Sequence, residues 1–508
     1  MTEVLAWIAR GLVLGLLLVA PWPYAMAEWS SQVWLVPVVG AILLLASLVA
    51  LSRRQSVGNP LVWSLAAVLA IGLLQIAPLP EPLWKMVAPA AGFERRIEQL
   101  TNELAESASG METTATSQTA TDDVPRNELD EKPSVVGGDV VVGENESDWN
   151  AETDAERRAT LEEVGSRTLS IDPLQTRATV CVFAMGLAVL LSSIILFRDR
   201  QSVSLLLGTL VLSGLAIALL GIYQAVVAGD WTLINVPKQT SFATFYSRNS
   251  APQFLACCFA ATAGMLGLHR ANKSKLNFDK RYRVVYPSVN MVARLRRRVE
   301  EFITEANPMS FGLLLVMVLL FASVLIANSR GGTLAFFASG LAVLLIYALG
   351  KQASFSSIIA VVFLVVGSGL FLSLYGLDEL VGARMDTVSR EAYQMNNARL
   401  ELWKMALSQP SAWLLGSGMG TFHFALLPAY ATPQSSWFYH AENIYVELAS
   451  GAGMITLLVA MAGLLWLIWQ LLSHPSQTNT GRSVRIACLF GVLAVALQNL
   501  VDFSLMLP

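Results

Sequence analysis

The chain has 508 residues, of which 54% are hydrophobic and 14% charged, with 34 Lys and Arg against 37 Asp and Glu for a formal net charge of −3. A water-soluble chain carries about a quarter charged residues, so this composition excludes a string of soluble domains and points to repeated crossing of a membrane. The four cysteines, Cys181, Cys257, Cys258 and Cys488, lie inside apolar runs without ligand-like spacing, which argues against a disulfide framework or a zinc site.

A segment needs about 20 apolar residues to cross a ~30 Å hydrocarbon core. In chain order such runs fall near 5–21, 33–51, 60–78, 177–197, 203–224, 250–268, 309–328, 333–350, 354–375, 443–472 and 483–502. That makes about eleven spans. Backbone groups in lipid must be satisfied within the segment, so these are helices, and the alternating pattern of a membrane barrel is absent. The predicted fold class is an all-α polytopic membrane protein. The first run follows Arg10 and precedes Ala25-Met26-Ala27, the small-residue pattern of a signal-peptide cleavage site. Glu3 and the length of the run favour a retained span, and either outcome leaves the following chain on the outer side.

The runs divide the chain into five parts. Residues 1–78 hold spans one to three. Residues 79–176 form a long acidic extracytoplasmic loop whose middle, 100–165, is rich in Ser, Thr, Gly and acidic residues. It has too few large apolar groups to bury and is expected to be disordered, with short amphipathic helices at 81–104 and 152–166. Residues 177–375 hold the central spans and a basic loop, 269–308. Residues 376–442 form a second large outer loop with short helices, and 443–508 hold the last spans.

Lysine and arginine set the orientation. With the N-terminus in the cytoplasm, the inner side receives Arg53, Arg54, Arg198, Arg200, the block 269–308, Lys351, Arg482 and Arg485, while the outer loop 22–32 has no basic residue. The block itself reads as a topology anchor beside anionic headgroups and not as a nucleic-acid site.

This topology sorts the histidines. His269 and His474 fall on the inner side and read as solvated. His423 follows a Gly-rich turn and reads as interfacial packing. His440 stands at the mouth of the tenth run with Glu442 and Asn443 behind it. Ionisable groups there are costly and usually functional, and an imidazole can accept a proton near neutral pH. Three guanidinium groups share that face: Arg248, followed by Asn249; Arg330 in Ser329-Arg330-Gly331-Gly332; and Arg399, which opens RLELWKMAL with Leu400, Leu402 and Trp403 to bury. Each could merely snorkel to headgroups. Together they suggest an anion site, because guanidinium forks match phosphate oxygens. A lipid-linked phosphate or diphosphate is the fitting anion. No Walker loop, HExxH, GxSxG, CxxC or paired-aspartate metal motif occurs, so neither a metal nor a cofactor is expected.

Four local patterns carry a family resemblance. They are ATFYSRNSAPQFLA, ANSRGGTLAFFASGLAVLL, NNARLELWKMAL followed by LLGSGMGTF, and HAENIYVELASGAG, in which His440 and Gly451 make a His-x10-Gly element. In this order, from about residue 205 onward, the chain resembles the O-antigen ligase and polymerase family of membrane glycosyltransferases (the Wzy/WaaL group). It departs in the acidic insert, in Trp403 where the family has leucine, and in ending at Pro508 where the family has another helix. The resemblance implies a multi-pass protein of the bacterial inner membrane with its site facing the periplasm. It implies a metal-independent, inverting transfer of a glycan from a polyprenyl-diphosphate donor to a hydroxyl of a lipid or saccharide acceptor, as in lipopolysaccharide or exopolysaccharide assembly. By the same resemblance His440 is the base, Arg330 and Arg399 hold the diphosphate, and Arg248, Asn249, Glu442 and Asn443 bind substrate. Two other readings compete: a transporter of an anionic or lipid-linked substrate, and a scaffold acting through the acidic loop.

Overall fold

A computed structural model describes residues 2–22, 29–55, 58–80, 168–227, 241–277, 308–349, 366, 370, 373–374, 399–409, 414–426, 438–473 and 479–502. Most of the expected span 354–375, of the two large outer loops and of the basic loop lies outside the described residues. In chain order the helices are α1 Thr2–Val19, α2 Trp29–Ser52, α3 Pro60–Ile76, α4 Pro173–Leu196, α5 Arg200–Val226, α6 Ser250–Asn277, α7 Pro308–Ile326 and α8 Arg330–Leu349. They continue with α9 (399–408), α10 Phe422–Ala425, α11 Ile444–Ala452, α12 Met454–Ser473 and α13 Asn479–Gln498. No strand occurs among the described residues beyond one isolated bridge, Phe242 to Phe245. Nine of these helices are long and apolar enough to cross a membrane, and α3 is a shorter apolar helix.

Helix starts follow the sequence closely. Asn59 and Asp172 each cap a helix whose first residue is proline, and Asp199 caps α5. A side-chain oxygen meets the orphan amides while proline needs none. At the centre, α6 packs against α5, α7 and α13. Phe336 of α8 lies 4.9 Å from Phe259 of α6, 5.0 Å from Phe490 of α13 and 5.1 Å from Phe321 of α7, ring centre to ring centre. Such tilted and edge contacts suit the aromatic quadrupole.

The helix ends sort into two sets. At one end Arg53 pairs with Glu3, Arg10 pairs with Asp199 at 2.8 Å, and Arg200 reaches Leu268 O at 3.2 Å. At the other, Thr244 Oγ1 donates to Pro21 O, Ser170 N to Gln75 O at 3.0 Å, and Ile171 N to Ser417 O at 2.8 Å.

One expected span is corrected. The apolar run 443–472 is not one helix but two, α11 and α12, separated at Gly453, whose φ is +90°. A Cβ there would lie 2.0 Å from Leu414 O, so the break belongs to glycine on conformational and steric grounds alike. The glycine loop 414–421 fills it. Ser417 N donates to Ser450 O at 3.0 Å and Gly418 N to Gly451 O at 2.8 Å, satisfying carbonyls that the end of α11 leaves open. Non-helical backbone at membrane depth is tolerated only where protein covers it.

Gln75, in α3, locks this arrangement. It is fully buried. Its amide nitrogen donates to Gly451 O at 2.8 Å and to Leu415 O, and its oxygen accepts from Met419 N at 3.0 Å. One side chain therefore ties α3 to both the loop and the break. Replacing Gln75 by Leu strips partners from buried backbone groups at about 1–3 kcal/mol each. We expect the variant in detergent to keep its helical content but melt several degrees below the parent; an unchanged melting temperature would show that water replaces the amide at no cost.

Candidate active site

Asn443 caps α11, its Oδ1 accepting from Tyr445 N at 2.9 Å and Val446 N at 3.2 Å. The cap sets the start of the helix and thereby the position of Glu447 in its first turn. Glu447 is only 2% exposed, and its Oε1 lies 2.9 Å from His440 Nδ1. Between them Glu442 has φ +50°, a left-handed conformation rare for a residue with a side chain. It turns the chain from the histidine into the cap.

Helix α9 packs beside this turn. Leu402 and Ala406 are buried with Phe422, Leu426, Ala441 and Val446, and Trp403 Nε1 donates to Ala441 O at 2.8 Å. Leu400, expected to be buried, is instead 47% exposed. The burial stripe of α9 runs through 402, 403 and 406, and residue 400 lies off it. The guanidinium of Arg399 pairs with the carboxylate of Glu442, the two side chains being 32% and 42% exposed. The arginine fork therefore sits beside a residue two positions from the imidazole.

His423, in α10, is buried. Its ring stacks on Tyr439 with centres 4.1 Å apart and planes 17° from parallel, and Tyr439 in turn meets His440 edge-on at 5.1 Å. Burial holds the imidazole of His423 below its usual titration range, and the positive charge that His440 can carry pushes the same way, against a smaller opposing pull from Asp172.

A second group forms around the end of α13. Gln498 Nε2 donates to Asn249 O and, at 3.3 Å, to Asp502 Oδ2; Asn499 Nδ2 donates to Gln253 Oε1 at 2.8 Å. All three α13-end residues are buried. Arg330 opens α8 here: a Cβ on Gly331 would lie 2.6 Å from Val501, and one on Gly332 would lie 2.5 Å from Pro252. Ile444 N donates to Asn499 O at 3.1 Å, and Tyr445 Oη to Ala496 O at 2.8 Å. These bonds join the group to the start of α11.

The expected site residues thus meet in two connected sets. His440, Arg399, Glu442 and Asn443 form one. Arg330 and Asn249, with Arg248 beside it in sequence, gather at the end of α13. Three features escaped the reading of the sequence: Glu447, Gln75, and the cluster Gln498, Asn499 and Asp502. Their trace in the sequence is faint: polar residues within, or just beyond, otherwise apolar helices, where polarity is expensive. Among the described residues no group of three or more His, Cys, Asp and Glu is arranged to hold a metal ion.

Residues 315–461 match the family model described as O-Antigen ligase. The match begins within α7 and ends within α12, enclosing Arg330, Arg399, His423, His440, Glu442, Asn443 and Glu447; Arg248 and Asn249 fall outside it. No curated protein matches the chain. The match supports an O-antigen ligase/polymerase-like family and a role in glycan transfer during polysaccharide assembly.

The state of His423 gives a pH prediction. Its folded value lies below the ordinary ~6.5, so the unfolded chain binds the proton more tightly. The stability it contributes is complete above about 6.5 and is lost as pH falls from there through the lowered value. His423→Phe should keep the ring stack and flatten this slope: between about pH 7.5 and 5 its melting temperature should fall less than the parent's. Parallel curves would contradict the buried neutral imidazole.

Proposed function

We propose, from the premise that the chain is an O-antigen ligase/polymerase-like membrane protein, that it transfers a glycan from a polyprenyl-diphosphate-linked donor to an acceptor hydroxyl. The reaction takes place at the periplasmic face of the bacterial inner membrane. The observation that carries this reading is the adjacency of an imidazole and an arginine fork: His440 lies two residues from Glu442, whose carboxylate holds Arg399.

The chemistry needs a base and an anion clamp. His440 takes the proton of the acceptor hydroxyl. The oxygen attacks the anomeric carbon from the side opposite the diphosphate, and the configuration inverts. Charge then develops on the departing diphosphate, where fixed guanidinium groups at Arg399 and Arg330 stabilise it more than they stabilise the bound donor. A diphosphate leaves well, so these cations serve in place of an acid and no metal is required.

Glu442 stands where a phosphate oxygen would bind. A partly exposed ion pair is worth about 0–1 kcal/mol, so a diphosphate that offers several oxygens to the same fork can displace it. Glu442 is then left to hydrogen-bond the glycan, while Asn443 fixes the turn. Arg248 and Asn249 contribute from the α13 end to positioning the donor. The Lys and Arg bias and the sorted helix ends both support a periplasmic site.

The test uses purified protein, a polyprenyl-diphosphate oligosaccharide, and either lipid A core or a second donor molecule as acceptor, with chelator present. Mass spectrometry should detect a new glycosidic bond. His440→Ala should lower the rate by about 10²–10⁴-fold and Arg399→Ala by about 10²–10³-fold. Both variants inserting normally and working at the parental rate would sink the proposal. Uptake of donor into vesicles without a new bond would favour a transporter.

A further inference from the structure

We infer that Glu447 is a positioning residue for the base: it fixes His440 through Nδ1 and leaves Nε2 as the atom that takes the acceptor's proton. The inference rests on the reading of His440 as that base, and it adds a residue that the arginine and histidine patterns did not suggest.

Three observations carry it. The contact is short, with Oε1 2.9 Å from Nδ1. The environments of the two side chains differ: that of Glu447 is 2% exposed, whereas that of His440 is 24% exposed. One ring edge is thus held from the interior while part of the ring remains open to a substrate. Finally, Oε2 is buried with no hydrogen-bond partner among the described residues. Its buried carboxylate therefore spends its one described side-chain contact on the histidine.

Stability alone does not account for such a group. Burying a carboxylate is costly, and an apolar residue of similar volume in place of a buried ion pair is often neutral or stabilising. The site does offset part of the cost. Glu447 lies in the first turn of α11, a nine-residue helix whose N-terminal amides favour negative charge. Its Oε1 lies 2.9 Å from Nδ1, and a carboxylate can only accept. Nδ1 must then carry the hydrogen, and in the neutral ring the lone pair falls on Nε2.

The balance of the step follows. The O–H bond of the acceptor breaks and its proton moves to Nε2. The oxygen lone pair forms the bond to the anomeric carbon. The bond from that carbon to the diphosphate oxygen breaks, and its electron pair stays on the diphosphate. The imidazolium so formed has both nitrogens protonated, and Glu447 faces it with a full negative charge. The ring later returns its proton to solvent. Glu447 touches no substrate atom; it sets the tautomer and orientation of the group that does, the division of labour seen in carboxylate–histidine pairs that serve a nucleophile.

The experiment combines ¹⁵N NMR of histidine-labelled full-length protein in lipid with kinetics on the same preparation. His440→Asn identifies the His440 signal. In the parent at neutral pH the neutral ring of His440 should carry its hydrogen on Nδ1. Glu447→Gln should mix the tautomers and lower kcat by about 10²-fold or more, with donor KM within about twofold, because uniform binding is untouched. Glu447→Asp should restore part of kcat. The inference is overturned by an Nε2-protonated ring in the parent protein, a reading that needs no variant to fold, or by a Glu447→Gln enzyme with parental kcat beside an inactive His440→Ala. If His440→Ala is itself active, the underlying reading of the base fails instead.

Discussion

The break between α11 and α12 is the feature on which the rest of the site depends. A continuous helix through Gly453 would leave no opening for the glycine loop to insert into. Instead Gly453 turns the chain, and the loop amides cover the exposed carbonyls of α11. The side chain of Gln75 fastens loop and break to α3. The sealed loop leads directly into α10, which brings His423 against Tyr439 and so beside His440. A polar amide deep in an apolar helix is costly unless every hydrogen-bonding group finds a partner; here both ends of the amide do.

Much of the architecture was legible in the sequence, for a physical reason. Spans are set by hydrocarbon thickness, and starts are set by caps and prolines, so α1, α2, α4, α5, α7 and α8 fall close to their expected limits, whereas α6 runs on nine residues past 268 into the segment expected as the basic loop. The interruption at Gly453 was not legible, because glycine is apolar enough to continue a hydrophobic run, and only its backbone angle reveals the turn. The site was legible in part. His440, Arg330 and Arg399 stand out as ionisable groups beside apolar runs. Glu447 does not, because it lies seven residues beyond the histidine and looks like an ordinary start-of-helix acid. Only the backward turn at Glu442 brings its carboxylate to the imidazole. The amides near the end of α13 were similarly hidden: their role lies in joining Asn249 to the start of α11, a relation across 249 positions of chain that no local pattern conveys.

Under the proposed mechanism two acid–base pairs divide the work. The buried Glu447–His440 pair is fixed and suits a group that must not move during proton transfer. The half-exposed Glu442–Arg399 pair is weak and suits a clamp that must open for an anionic donor. The two pairs thus differ in burial as well as in residue type.

A structure determined with a polyprenyl-diphosphate glycan bound would test the central claim most directly. If the proposed mechanism holds, the diphosphate lies on Arg399 and Arg330, the Glu442 carboxylate is turned away from Arg399, and Nε2 of His440 faces the anomeric centre. A donor headgroup seated at the opposite end of the helices, or bound with the Arg399–Glu442 pair still closed, would contradict it.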